Sequence, residues 1–200
     1  MSPKIDRRDF FILAGSSIAG LGSLSPKGLL AQDPAMGSDT PRILALFSYY
    51  EGIYYYEPAG LYIQAGQTVQ WAGLQRRSVT AFHPSINNHE LRIPEGAKPF
   101  DSRAMGLDDG TFQWTFEVEG TYDYYSQPHE YLGMVGRIVV GKPGGPGEQP
   151  PGYGNRNGRA VMYRDARRLL EYLKSDEIVQ KKRVPCPPKL LQRPFPWRSY

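Results

Sequence analysis

Within nine residues the chain sets a hydroxyl, an imidazole and a thioether in the run Ser126-Gln-Pro-His129-Glu-Tyr-Leu-Gly-Met134. Imidazole nitrogen and thioether sulfur are donors that suit copper, whereas a neutral serine hydroxyl is a poor ligand for it. Two strand-like stretches, Phe112 to Val118 and Arg137 to Val140, bracket the run, so it reads as a loop between strands. No other stretch competes for chemistry. There is no nucleophile with a paired base, no glycine-rich phosphate loop beside a helix and no second histidine cluster, so an enzyme is not expected. Asp108 and Asp109 sit in a Gly-flanked turn, and turn chemistry accounts for them.

A loop of this kind needs a scaffold, and the preceding sequence supplies strand patterns. Extended character begins at Arg42 with Ile43-Leu-Ala-Leu-Phe47, continues through Leu61-Tyr-Ile63, and recurs in Thr68-Val-Gln-Trp71, where alternation puts Val69 and Trp71 on one core face. Five tyrosines lie between Tyr49 and Tyr56. They read either as a hairpin whose rings pack while the hydroxyls reach water, or as an aromatic patch facing a partner. Two hundred residues with 40% hydrophobic and 12% aromatic content can bury one core, and 22 Gly with 18 Pro favour strands joined by turns over a helical bundle.

From Glu57 to Gly141 the sequence resembles the cupredoxins, the blue-copper family that includes plastocyanin, azurin and halocyanin. That family carries Cys-x-x-His-x-x-x-x-Met between the last two strands of a Greek-key β-sandwich. Here the spacing is kept and the Cys position is Ser126. The stretch Arg77-Ser-Val-Thr-Ala-Phe-His83-Pro, followed by Arg92-Ile-Pro-Glu-Gly and Phe100-Asp-Ser, is similar to a family segment whose first His is the early-strand copper ligand. That position is Arg77. The resemblance therefore implies an all-β cupredoxin-like sandwich over residues 40–141 with former copper-site positions at Arg77, Ser126, His129 and Met134. With two strong ligands gone, no metal and no cofactor are expected. Arg77 either ties the loop, donating to Ser126 and His129, or turns to solvent. His83 falls on a framework position and reads as a hydrogen-bonded loop residue, and His89 is expected to face solvent.

The flanks carry the remaining expectations. Arg7-Arg8 before Phe10, followed by a weakly apolar Gly- and Ser-rich run, resembles a twin-arginine export signal over 1–31, cleaved or kept as an N-terminal anchor. Residues 142–158 hold too much Gly and Pro for a regular element and read as a linker or a strap on the surface. Met162, Ala166, Leu169, Leu170 and Leu173 recur at helical spacing within a basic helix from Arg159 to Lys174, and Ser175 is a candidate cap for a second turn. Pro185, Pro187 and Pro188 are expected to forbid helix and start an extended tail. Cys186, the single cysteine, lies far from the loop and reads as an inert thiol, a free thiol or a link to a second chain.

Charge is unevenly spread: thirteen acidic against seven basic residues between 32 and 140, and twelve basic against four acidic between 156 and 200. An acidic body with a basic tail follows, and in the tail Arg193, Phe195, Trp197 and Tyr200 are the candidate partner contacts. These features give the expected function: an accessory, copper-free subunit docking on an extracytoplasmic or periplasmic membrane electron-transfer complex, respiratory or photosynthetic. Export argues against nucleic acid as a partner. The alternatives are a copper electron carrier with a non-blue site built from His129 and Met134, with His83 or His89 added, and a copper chaperone using the same residues.

Overall fold

Alternating apolar residues close two sheets over one another in the computed structural model, which describes residues 40–107, 110–154 and 161–191. The export segment 1–31, Asp108, Asp109, and the tail residues Arg193, Phe195, Trp197 and Tyr200 lie outside the described residues.

The first sheet has the order β2-β1-β4-β6, formed by β1 (Arg42–Ser48), β2 (Ile53–Glu57), β4 (Thr68–Ala72) and β6 (Thr111–Thr115). The second has the order β5-β7-β8-β3-β9, from β3 (Gly60–Ile63), β5 (Thr80–Ala81), β7 (Gly120–Tyr125), β8 (Val135–Val140) and β9 (Arg183–Val184). β1 with β4 and β3 with β8 are parallel, and the other pairs are antiparallel. Between the sheets lies an aromatic core in which Val69 and Trp71 are fully buried, as their alternation requires, among Tyr56, Phe100, Phe116 and Tyr124.

β7 is the element that the sequence pattern concealed. Its six residues, Gly-Thr-Tyr-Asp-Tyr-Tyr, are buried without alternation, as are all six of β8. The reason is a second apolar layer outside the sheet. Helices α1 (Arg164–Tyr172) and α2 (Ser175–Lys181) press Leu169, Leu170 and Ile178 onto Val135, Val139 and Tyr125. Each such side chain contributes about 1.5–3 kcal/mol by leaving water. A sheet covered on both faces loses the period-two signal that a half-exposed sheet shows. The basic helix starts at Arg164, five residues after the expected Arg159, and Ser175 is its successor's first helical residue, with Lys174 at the cap position.

A buried ionic network fastens these layers. Asp123 on β7 accepts from Arg92 Nε at 2.7 Å and from Arg137 Nε and Nη2 at 2.7 and 2.9 Å. Burial would lower the Arg137 guanidinium, but the Asp123 carboxylate holds it above its ordinary value. Both arginines also donate to the Gly147 carbonyl, and Arg137 Nη1 donates to Leu173 O at 2.6 Å. Glu90, paired to Arg92, accepts the Gly152 and Gly154 amides, while Glu148 accepts from the Ser175 and Thr121 hydroxyls. The Gly/Pro stretch is thus drawn onto the sandwich through residue 154.

Past β9 the chain does not become extended at Pro185. Pro188 opens a short helix, α3 (Pro188–Leu191), a position where its missing N–H costs nothing. Cys186 and Leu191 are buried in the outer apolar layer. Leu191 packs over Gly133, where an added Cβ would come within 2.7 Å of its Cδ2 and where φ is +86°. Residues 185–191 therefore belong to the body.

Candidate functional site

Ser126 follows β7, and its backbone shapes the loop. Ser126 N donates to Met134 O, His129 N to Ser126 O, and Met134 N back to His129 O, at 3.0, 2.9 and 3.2 Å. A 3₁₀ turn over Glu130–Leu132, ended by left-handed Gly133, brings the chain round into β8. The loop brings together three of the four positions that the family resemblance marks out. The Ser126 hydroxyl lies 3.4 Å from His129 Nδ1, and Met134 is fully buried in the aromatic core.

Arg77 takes neither course expected of it. Its Nη1 donates to the Gly73 and Gln75 carbonyls, both at 3.0 Å, and its Cζ lies over the Tyr54 ring at 5.4 Å. It does not donate to Ser126 or His129. Carbonyl acceptors on its own turn and the face of an aromatic ring hold the guanidinium where it stands, although its Nε is buried without a partner. The tie it was expected to make is made by its neighbour: Ser78 N donates to Ser126 Oγ at 3.2 Å, and Gln127 N donates to Ser78 Oγ at 2.8 Å.

Tyr54 carries the rest of the site. Its ring stacks on His129 with centroids 3.9 Å apart and planes at 16°, and on its other flank it meets Phe47, its cross-strand partner. Burial, then the charge of Arg77, push the His129 imidazole below its usual range. His129 is thus a half-buried neutral ring clamped in an aromatic stack. Phe47, Tyr49 and Tyr50 are exposed at this end of the first sheet, the last two at 83% and 90%. Residue types alone did not single out Tyr54. The signal was its place two residues before core residue Tyr56, on the same strand face.

His83 accepts the Ser85 amide through Nδ1 and shares a hydrogen bond with its hydroxyl, a local loop contact. His89 differs from expectation. It is buried, pairs through Nε2 with Glu130 Oε2 at 3.2 Å, and packs edge-on against Phe82 and Tyr125. The solvent-facing reading failed because sequence could not show that Glu130, one residue after His129, turns inward to meet it.

A family model described as copper binding proteins of the plastocyanin/azurin family matches residues 47–141. Plastocyanin of Scenedesmus fuscus is 30% identical over 95 residues, 44% of this chain and 89% of that protein. Plastocyanin of Prochlorothrix hollandica is 31% identical over 91 residues, covering 42% of this chain and 62% of that protein. Among solved structures, a purple cupredoxin from Nitrosopumilus maritimus is similar at 25% identity, covering 50% of this chain and 99% of that one with a TM-score of 0.38. The molecule is a cupredoxin-type β-sandwich. The chain belongs to the plastocyanin/azurin family.

This membership corrects the expectation that no cofactor is involved, because the family is one of copper-binding proteins and points to copper. Tested against the residues present, the blue-copper set does not fit this loop. The four positions supply one imidazole and one thioether, where such a centre takes two imidazoles and a thiolate in a trigonal plane. The hydroxyl of Ser126 is engaged by Ser78, and Arg77 faces its own turn. Among the described residues no group of three or more His, Cys, Asp or Glu is placed to hold a metal ion elsewhere. Cys186, its thiol pushed up to about 12 by burial and then by Glu57 and Glu51, lies in the outer layer, not in the loop.

Proposed function

We propose that the chain is an accessory, non-enzymatic docking subunit of an extracytoplasmic membrane electron-transfer assembly, respiratory or photosynthetic, with the His129 end of the sandwich as its contact face. The observation that carries this reading is the aromatic rim there: exposed Phe47, Tyr49 and Tyr50 beside the Arg77, Tyr54 and His129 stack. Exposed rings gathered at one end of a domain are what protein interfaces draw on, and arginine beside them is a common anchor. Family membership supports the electron-transfer context, and the Arg7-Arg8 pair supports export. No helix among the described residues is long and apolar enough to cross a membrane, so attachment in this reading comes from protein contacts or from the segment 1–31. Arg193, Phe195, Trp197 and Tyr200 supply a second contact.

The test is purification of the tagged full chain from solubilised membranes of its native host, with mass spectrometry and metal analysis of what accompanies it. Subunits that carry redox cofactors should co-purify, and the Phe47→Ala/Tyr50→Ala variant should lose them while keeping its unfolding midpoint. A chain that purifies alone with stoichiometric copper would replace this reading with that of an electron carrier. Changing Arg7 and Arg8 to Lys should leave the protein in the cytoplasm; normal export of that variant refutes the location.

A further inference from the structure

On the flank of the sandwich beside the 3₁₀ turn lies a cavity of about 640 Å3, within the range of small-ligand pockets. His89, Tyr125, Glu130, Met162, Tyr163 and Arg164 are among its lining residues. Two of them are more than nine-tenths buried and leave polar atoms without a partner, His89 Nδ1 and Glu130 Oε1. In the tautomer that donates Nε2–H to Glu130 Oε2, the ring presents Nδ1 as a bare acceptor. Glu130 Oε1 is an acceptor as well. Two orphaned acceptors, one of them on a carboxylate, call for a ligand with several N–H donors and positive charge. The nearby amides do not meet that call, since Asn87 Nδ2 donates to the Tyr125 hydroxyl and Gln127 Nε2 to Asp101. Arg164 at the rim is already turned to Asp165 at 3.1 Å.

We propose that this cavity binds a guanidinium or alkylammonium group, with Glu130 Oε1 and His89 Nδ1 as its acceptors. Such a group comes either from a separate ligand or from the chain's own final residues, which include Arg193 and Arg198 and follow Leu191 where it packs on Gly133.

The experiment titrates agmatine into the isotope-labelled full chain and follows the His89 and Tyr125 ring resonances, with Trp114 on the opposite sheet as a control. The wild type and an Arg193→Gln/Arg198→Gln variant are compared. Saturable shifts at His89 and Tyr125 in the wild type identify a site open to a separate ligand. Shifts confined to the variant support the site and show that the chain's own arginines fill it. Glu130→Gln should weaken agmatine binding about tenfold or more, the loss of one charge-assisted hydrogen bond. Absence of shifts in both proteins, or shifts at Trp114 as large as those at His89, overturns the proposal even if Glu130→Gln fails to fold.

Discussion

Replacing Asp123 with Asn removes one charge from the centre of the network without changing its shape, and the structure sets the cost. The carboxylate is fully buried and accepts three hydrogen bonds from two buried guanidinium groups. Hydrogen bonds to charged groups contribute about 1.5–3 kcal/mol each, so a simple sum would exceed the value of any one buried pair. The Asn carbonyl keeps one acceptor, and Glu90 and Glu148 still offset part of the positive charge. The expected loss is therefore that of a buried pair missing one partner, about 3–5 kcal/mol, a large share of the 5–15 kcal/mol of a typical domain. Urea unfolding of the full chain measures it: at a slope of about 2 kcal/mol/M the midpoint should fall by roughly 2 M. Hydrogen exchange locates it, because the Gly152 and Gly154 amides, held by Glu90, should lose protection along with the strap. A loss below about 1 kcal/mol with an unchanged slope would refute the claim that this network fastens the outer layer. Exchanging Asp123, Arg92 and Arg137 together for Leu, Met and Met should not recover the loss, because it leaves Glu90 buried without its partner and the Gly147 and Leu173 carbonyls without donors.

Three further outcomes follow from the site. Ser126→Cys with Arg77→His should create an intense thiolate-to-copper band when copper is added, and Ser126→Cys alone should bind copper more weakly; normal folding without a band in the double variant would mean that the loop has left the family geometry. Arg77→Gln should raise the His129 pKa toward the ordinary histidine value, read from ring proton shifts, because it removes the charge that adds to burial. The sign is that of a depressed histidine: stability is present above the unfolded pKa of about 6.5 and is lost as pH falls through the folded value, less so in the variant. Cys186 should resist a disulfide reagent at pH 8 in the native state and react at once in urea; its raised thiol contributes stability below the unfolded pKa that is lost as pH rises toward about 12.

The sequence by itself determined the sandwich and the loop. Period-two alternation in β4 declared Val69 and Trp71 as core, and the Ser126, His129 and Met134 spacing declared the loop, because both are local patterns that backbone geometry converts directly into position. It also showed which donor types stand at the positions that the family resemblance marks out, since residue identity is all that question needs. Only the tertiary structure decided where Arg77 goes, because a long cation settles among whichever carbonyls and rings lie within reach, and Gly73, Gln75 and Tyr54 outcompete the loop. It likewise decided that β7 is buried on both faces, that Asp123 gathers two arginines, and that His89 and Glu130 meet inside. Each of those depends on segments far apart in the chain, the helices after 161 covering the sheet and the strap at 147 closing on it, and no local period records such a meeting.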